Sequence, residues 1–122
     1  MLKSGEPFFL THYPAPLASL ARLVPGDPRV SERFELYAGG MELANGFGEL
    51  TDAKEQRVRF AAEERERRLA GKPPYPVDER FLTALDTLPP SAGIALGLER
   101  LLMLVLGKQD IDDVAFIPWT QA

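Results

Sequence analysis

Glu35 and Glu42 flank a Gly39-Gly40 pair, and Asn45 and Glu49 follow closely behind. If Gly39-Gly40 forms the two-residue turn of a hairpin, Tyr37 pairs with Glu42 and Glu35 with Ala44. The two carboxylates are then diagonal neighbours on one sheet face, about 7–8 Å apart at the backbone. Acids held that close repel unless a proton or cation lies between them. Hard oxygen ligands at this spacing suit a magnesium ion that keeps water and bridges substrate phosphates. Strict alternation sets Asn45 and Glu49 on the face opposite Glu42. A single site using all four residues therefore requires a bulge or strong twist between Glu42 and Asn45. The plainer alternative is two solvated strand acids followed by an Asn-Gly turn.

A second chemical stretch is Gly93-Ile94-Ala95-Leu96-Gly97-Leu98-Glu99-Arg100. Its period-two alternation reads as a strand, and Leu98–Leu106 after it reads as a helix. Gly93, Ala95 and Gly97 would leave a bare surface on which a flat ligand lies against the backbone. Arg100 at the helix start can reach a phosphate or stack on a base. The stretch is not a P-loop, because no Gly-Lys-Ser/Thr follows the glycines. Small residues on one strand face also permit close helix packing, so the nucleotide reading needs support from the hairpin.

The elements that must position these residues can be traced along the chain. Pro7–Tyr13 reads as a buried aromatic strand ending at Pro14 and Pro16. Ala15–Leu23 reads as a short helix, and Val24–Pro28 as a loop rich in breakers. Phe34–Ala38 and Met41–Leu50 are the hairpin strands. Asp52 with Glu55 resembles a capping box that opens a helix running to about Leu69 and Gly71. Its mixed charges interleave, so a solvated face with helical ion pairs is favoured over an RNA-binding surface. Val58, Ala61, Ala62 and Leu69 are then expected to face the core. Lys72–Pro76 is a connector, Asp78–Thr87 another helix, Pro89-Pro90 a stop, and Val114–Ile117 a final buried strand. No repeat or low-complexity linker divides residues 1–122, which read as a single domain.

Bulk composition narrows the chemistry. The 122 residues suffice for one compact domain with a real core, and 45% hydrophobic with 26% charged residues is ordinary for a soluble protein. A formal charge of -4 disfavours nonspecific attraction to nucleic acid or anionic membrane. The absence of cysteine excludes disulfides, thiolate catalysis and Cys-ligated zinc, and the single His12 cannot form a histidine metal cluster. Leu101–Leu106 is too short to span a membrane, and no signal-peptide pattern opens the chain. A cytoplasmic location is the default expectation.

Four segments together resemble the class II lysyl-tRNA synthetases: Arg33-Phe34-Glu35-Leu36, Glu42 through Asp52 (Glu-Leu-Ala-Asn-Gly-Phe-Gly-Glu-Leu-Thr-Asp), Leu88 through Gly93, and Gly97-Leu98-Glu99-Arg100. The last of these is similar to motif 3 of that class, and the resemblance runs from about Pro7 to Pro118. Within the family, Ala44-Asn45-Gly46-Phe47 and Ala95 resemble the short bacterial paralogues that attach β-lysine to elongation factor P. Leu88-Pro89-Pro90-Ser91 is more synthetase-like, and Gly48 is smaller than the residue usual in either group.

The resemblance implies an α/β (α+β) fold, a mainly antiparallel sheet flanked by helices, as the C-terminal part of a class II catalytic core. It implies ATP and Mg2+ as cofactors, with Glu35 and Glu42 holding the metal and ATP phosphates. Leu43 would lie near the nucleotide, Gly97 against the adenosine, and Arg100 would bind ATP as the catalytic arginine. Asn45, Glu49 and Ala95 would contact the amino-acid substrate, lysine or β-lysine, with Glu49 meeting an ammonium. Elongation factor P is the implied acceptor, and a homodimer the implied full-length state. Two other readings stand beside it: an authentic lysyl-tRNA synthetase core acting on tRNA-Lys, and a non-catalytic amino-acid or nucleotide-binding module. Motifs 1 and 2 are not found in these residues, so the isolated chain is expected to be inactive and to expose an apolar sheet face.

Overall fold

A computed structural model of the chain describes residues 5–118, and the outermost residues of the single-domain reading lie outside them. A four-stranded antiparallel sheet has the order β1-β4-β5-β6, formed by β1 (Phe8–Thr11), β4 (Arg33–Ala38), β5 (Met41–Gly48) and β6 (Ala92–Leu96). A separate two-stranded ribbon joins β2 (Leu23–Val24) to β3 (Asp27–Ser31). Three helices flank the sheet: α1 (Ala53–Leu69), α2 (Glu79–Leu85) and α3 (Leu98–Leu106). The α+β architecture is the expected one.

The central hairpin forms where its glycines place it. Gly39 and Gly40 have φ of 58° and 78°, the left-handed pair that a tight hairpin turn requires and that side chains with a Cβ resist. Helices α1 and α2 each start on a carboxylate. Asp52 accepts from the Lys54 and Glu55 amides, and Asp78 from those of Arg80 and Phe81, satisfying amides that have no helical partner. Gly107, left-handed at φ 65°, ends α3. Leu43 and Ala44 of β5 and Met103 of α3 are buried, as are Leu82 and Leu85 of α2.

Several expectations fail for reasons of packing. The strand from Pro7 is not buried: β1 lies at a sheet edge with one neighbour, and Phe9 and Leu10 are exposed. The helix expected over Ala15–Leu23 shrinks to a 3-10 turn, Ala15–Leu17. Pro16 supplies no amide, and the Leu20–Arg22 backbone bonds to Gly48 and Leu50 instead. The expected Val24–Pro28 loop is the β2–β3 hairpin, turning at Gly26 with φ 87°. On α1, Val58 and Leu69 are 70% and 83% exposed and Ala61 and Ala62 also face outward. The helix is rotated so that Gln56 is buried. It docks through Arg59, which donates to Ser19 O (2.8 Å), Ala21 O (2.7 Å) and Glu55. Backbone acceptors, not an apolar stripe, set its rotation. The expected strand Val114–Ile117 is absent; a 3-10 turn, Ile111–Asp113, precedes that stretch, and Phe116 is wholly exposed.

Candidate active site

The hairpin register creates the site. Tyr37 pairs with Glu42 as expected, but Glu35 pairs with Asn45, not Ala44, because the register shifts between Leu36 and Tyr37. Leu36 pairs with Ala44, which leaves Leu43 as the extra residue of a bulge. That bulge lies between Glu42 and Asn45, where a single site requires it. It turns Asn45, Phe47 and Glu49 onto the face shared by Arg33, Glu35, Tyr37 and Glu42. On β6, Ala95 pairs with Asn45 and Gly93 with Phe47, so both join the same face.

Glu35 is 6% exposed and is met by three donors. Its Oε1 accepts from Arg33 Nη2 (2.7 Å) and Asn45 Nδ2 (3.2 Å), and its Oε2 from the Tyr37 hydroxyl (2.6 Å). Arg33 is held in turn by Leu17 O at 2.8 Å and by the Tyr13 ring, 4.5 Å from the guanidinium. Burial alone would raise the Glu35 carboxyl, but the surrounding hydroxyls and the Arg33 charge outweigh it and hold the group below its ordinary value. The same environment pushes the Tyr13 and Tyr37 hydroxyls upward, burial leading for Tyr13 and the bond to Glu35 for Tyr37. Arg33, Tyr13 and Tyr37 were not singled out by role in the sequence. Arg33 and Tyr37, two residues either side of Glu35 on one strand face, are the part that strand alternation makes findable.

The remaining acceptors are open. Among the described residues, no protein donor engages the Glu42 or Glu49 carboxylate, and the buried Oδ1 of Asn45 has no hydrogen-bond partner. Glu49 lies over Gly93, where a Cβ would come within 3.2 Å of its Oε1. Three features tie motif-like elements to the bulge. Gly97 donates its amide to Leu43 O (2.9 Å), Arg100 Nη1 donates to Glu42 O (2.8 Å), and α3 packs on β5. A Cβ at Gly97 would meet only the Arg100 stem, at an ordinary 3.5 Å, so the protein's own packing does not demand glycine there. Among the described residues no three His, Cys, Asp or Glu groups converge on one point. Two carboxylates on one face remain compatible with magnesium, which takes one or two and completes its shell with water and phosphate.

The model for class II tRNA synthetases (D, K and N) matches residues 2–121. The chain is 55% identical over 114 residues to the elongation factor P–(R)-β-lysine ligase of Proteus mirabilis, covering 93% of this chain and 35% of that protein. It is 52% identical over 110 residues to the ligases of the same name from Klebsiella pneumoniae (strain 342) and Edwardsiella ictaluri, covering 89% of this chain and 34% of each. The chain thus spans about a third of the length of the curated relatives it matches. Among the described residues no helix is long and apolar enough to cross a membrane.

Proposed function

The chain belongs to the class II tRNA synthetase family (D, K and N), and from that premise we propose that it carries part of the active site of an ATP-dependent ligase. That ligase activates lysine or β-lysine as an aminoacyl-adenylate and transfers it to a lysine of elongation factor P. The carrying observation is a pair of acceptors without protein donors, Asn45 Oδ1 and the Glu49 carboxylate, on one face beside Gly93 and Ala95. Such acceptors suit the ammonium groups of a diamino acid.

A substrate carboxylate is already an anion, so its attack on the α-phosphate needs no general base. Alignment and charge neutralisation are what the site must supply. Arg100, held at Nη1 by Glu42 O, keeps its remaining donors for ATP, and Gly97 leaves the adenosine room. Glu42 with its open carboxylate, and Glu35 with the lone pair its three donors leave, would hold Mg2+. When bound there, such an ion would supply positive charge to offset that of the triphosphate. Leu43, by forming the bulge, sets the direction of both neighbours. The relatives' shared name favours elongation factor P over tRNA-Lys as acceptor. A homodimeric, cytoplasmic full-length enzyme belongs to the same proposal, as does negligible adenylation by these 122 residues alone.

Titration of the chain with L-lysine and (R)-β-lysine, followed by amide NMR, tests the reading. Shifts at Asn45, Glu49, Gly93 and Ala95 that vanish in Glu49→Gln are expected, and the absence of binding by either amino acid overturns it. Robust lysine-dependent pyrophosphate exchange by the chain alone would contradict the proposed inactivity. Transfer of labelled β-lysine by the full-length protein to elongation factor P, and not to tRNA-Lys, separates the two acceptors.

A further inference from the structure

Glu49 stands just past the ladders that define its strand. The β4–β5 pairing ends at Arg33 with Phe47, and the β5–β6 pairing at Gly48 with Ala92. Something else must fix the angle at which its carboxylate leaves the sheet. Behind it lies a closed ring of three backbone hydrogen bonds: Arg22 N donates to Gly48 O (2.8 Å), Gly48 N to Glu32 O (2.9 Å), and Glu32 N to Arg22 O (3.0 Å). On either side, Glu49 N donates to Ser91 O and Leu50 N to Leu20 O, both at 2.9 Å.

The side chains of two ring members close it again. Arg22 Nε donates to Glu32 Oε2 at 2.5 Å, and this pair occupies the space where a side chain at position 48 would project. A Cβ there would lie 2.8 Å from Arg22 Nε and would collide with Glu32 Oε2. Glycine at 48 therefore has a structural reason: an ion pair laid flat against the strand, on the face opposite Glu49.

We propose that the Arg22–Glu32 pair, seated on Gly48, is a positioning device for Glu49 that tunes recognition of the substrate ammonium. The inference rests on the reading of Glu49 as the ammonium's partner. Glu49 Oε1 already fits closely over Gly93, so a small rotation of the strand end changes its reach, and displacements near 1 Å are enough to spoil a charge contact. The pair itself is 39% and 30% exposed, and such pairs add little to folding stability. Position and stability can thus be separated.

The experiment uses the 122-residue chain with Arg22→Met, Glu32→Gln and Gly48→Ser, and Arg22→Lys as the conservative rescue. Affinities for lysine, norleucine and 6-aminohexanoate are measured beside thermal midpoints. About tenfold weaker lysine binding is expected in the first three variants, with near-normal binding of whichever analogue lacks the ammonium that Glu49 meets. Partial recovery is expected in Arg22→Lys, with midpoints for Arg22→Met and Glu32→Gln close to wild type. On a Glu49→Gln background the three substitutions should add nothing. Unchanged lysine affinity, or equal losses for all three ligands, overturns the proposal. If Glu49→Gln itself leaves lysine binding unaltered, the ammonium reading fails instead. Hydrogen exchange at the Glu49 and Leu50 amides then decides the positioning claim: faster exchange in the pair variants supports it, and unchanged exchange removes it.

Discussion

Glu35 is a carboxylate almost wholly out of water, and its charge is kept by three donors, one of them the Arg33 guanidinium. Its folded-state value lies below the ordinary 4.5. The stability it contributes is therefore fully present above about pH 4.5 and is lost as pH falls through the lower folded value. Glu35→Gln should cost about 2–3 kcal/mol at neutral pH, by leaving Arg33 without its counter-charge. The difference from wild type should shrink below pH 4, as read from urea midpoints at pH 7 and pH 3; an equal difference at both would show that the charge contributes nothing. The raised Tyr13 and Tyr37 hydroxyls act at the other extreme, their contribution present below pH 10 and lost as pH rises through their folded values. Ala95 makes a different prediction. It pairs with Asn45 on the proposed substrate face, where one methyl is worth roughly 1–3 kcal/mol of discrimination. Ala95→Gly should move preference from β-lysine toward α-lysine, measured as relative adenylation rates in the full-length enzyme. Unchanged relative rates would remove Ala95 from the specificity argument.

The hairpin is the element on which the site depends, and its two turn glycines are not equivalent. Both sit at positive φ, but a Cβ on Gly39 would also come within 2.6 Å of Leu104 Cδ1, whereas Gly40 faces open space. Gly39→Ala should lose about 2 kcal/mol or more, and Gly40→Ala about 1 kcal/mol, from denaturant midpoints; equal losses would exclude the α3 contact as a constraint. Elements set by local chemistry were legible in the sequence: this turn, the Asp52 cap, and the helix over Leu98–Leu106. The need for a bulge between Glu42 and Asn45 was legible too, since four polar residues had to share a face. The pairing of Glu35 with Asn45 was not, because an extra residue shifts the count by one. Nor was the exposure of β1, or the rotation of α1, where an arginine bonding to Ser19 and Ala21 carbonyls overrides the apolar pattern. Those outcomes depend on partners distant in sequence, which periodicity does not encode.

At the scale of the molecule, neither edge strand of the sheet, β1 or β6, has an outer neighbour among the described residues. Every residue of β6 is exposed, Ile94 at 64%, and Leu98, Leu102, Val105 and Leu106 of the helix that follows are exposed as well. An edge strand offers a row of unpaired amides and carbonyls, and an apolar flank beside it gives an incoming chain surface to bury. The relatives are about three times the length of this chain, so a larger polypeptide has sequence with which to cover such a face. The 122 residues alone have only one another. Sedimentation velocity should therefore show concentration-dependent self-association across the micromolar range. Ile94→Lys places a charge on the edge strand, and Val105→Lys places one on the flanking helix. Either should reduce the association without lowering the thermal midpoint, because both side chains already face outward. A chain that stays monomeric throughout would show that the β6–α3 surface is tolerated by water as it stands, and association that survives both lysines would move the contact to the opposite edge, where Phe9 and Leu10 of β1 are exposed.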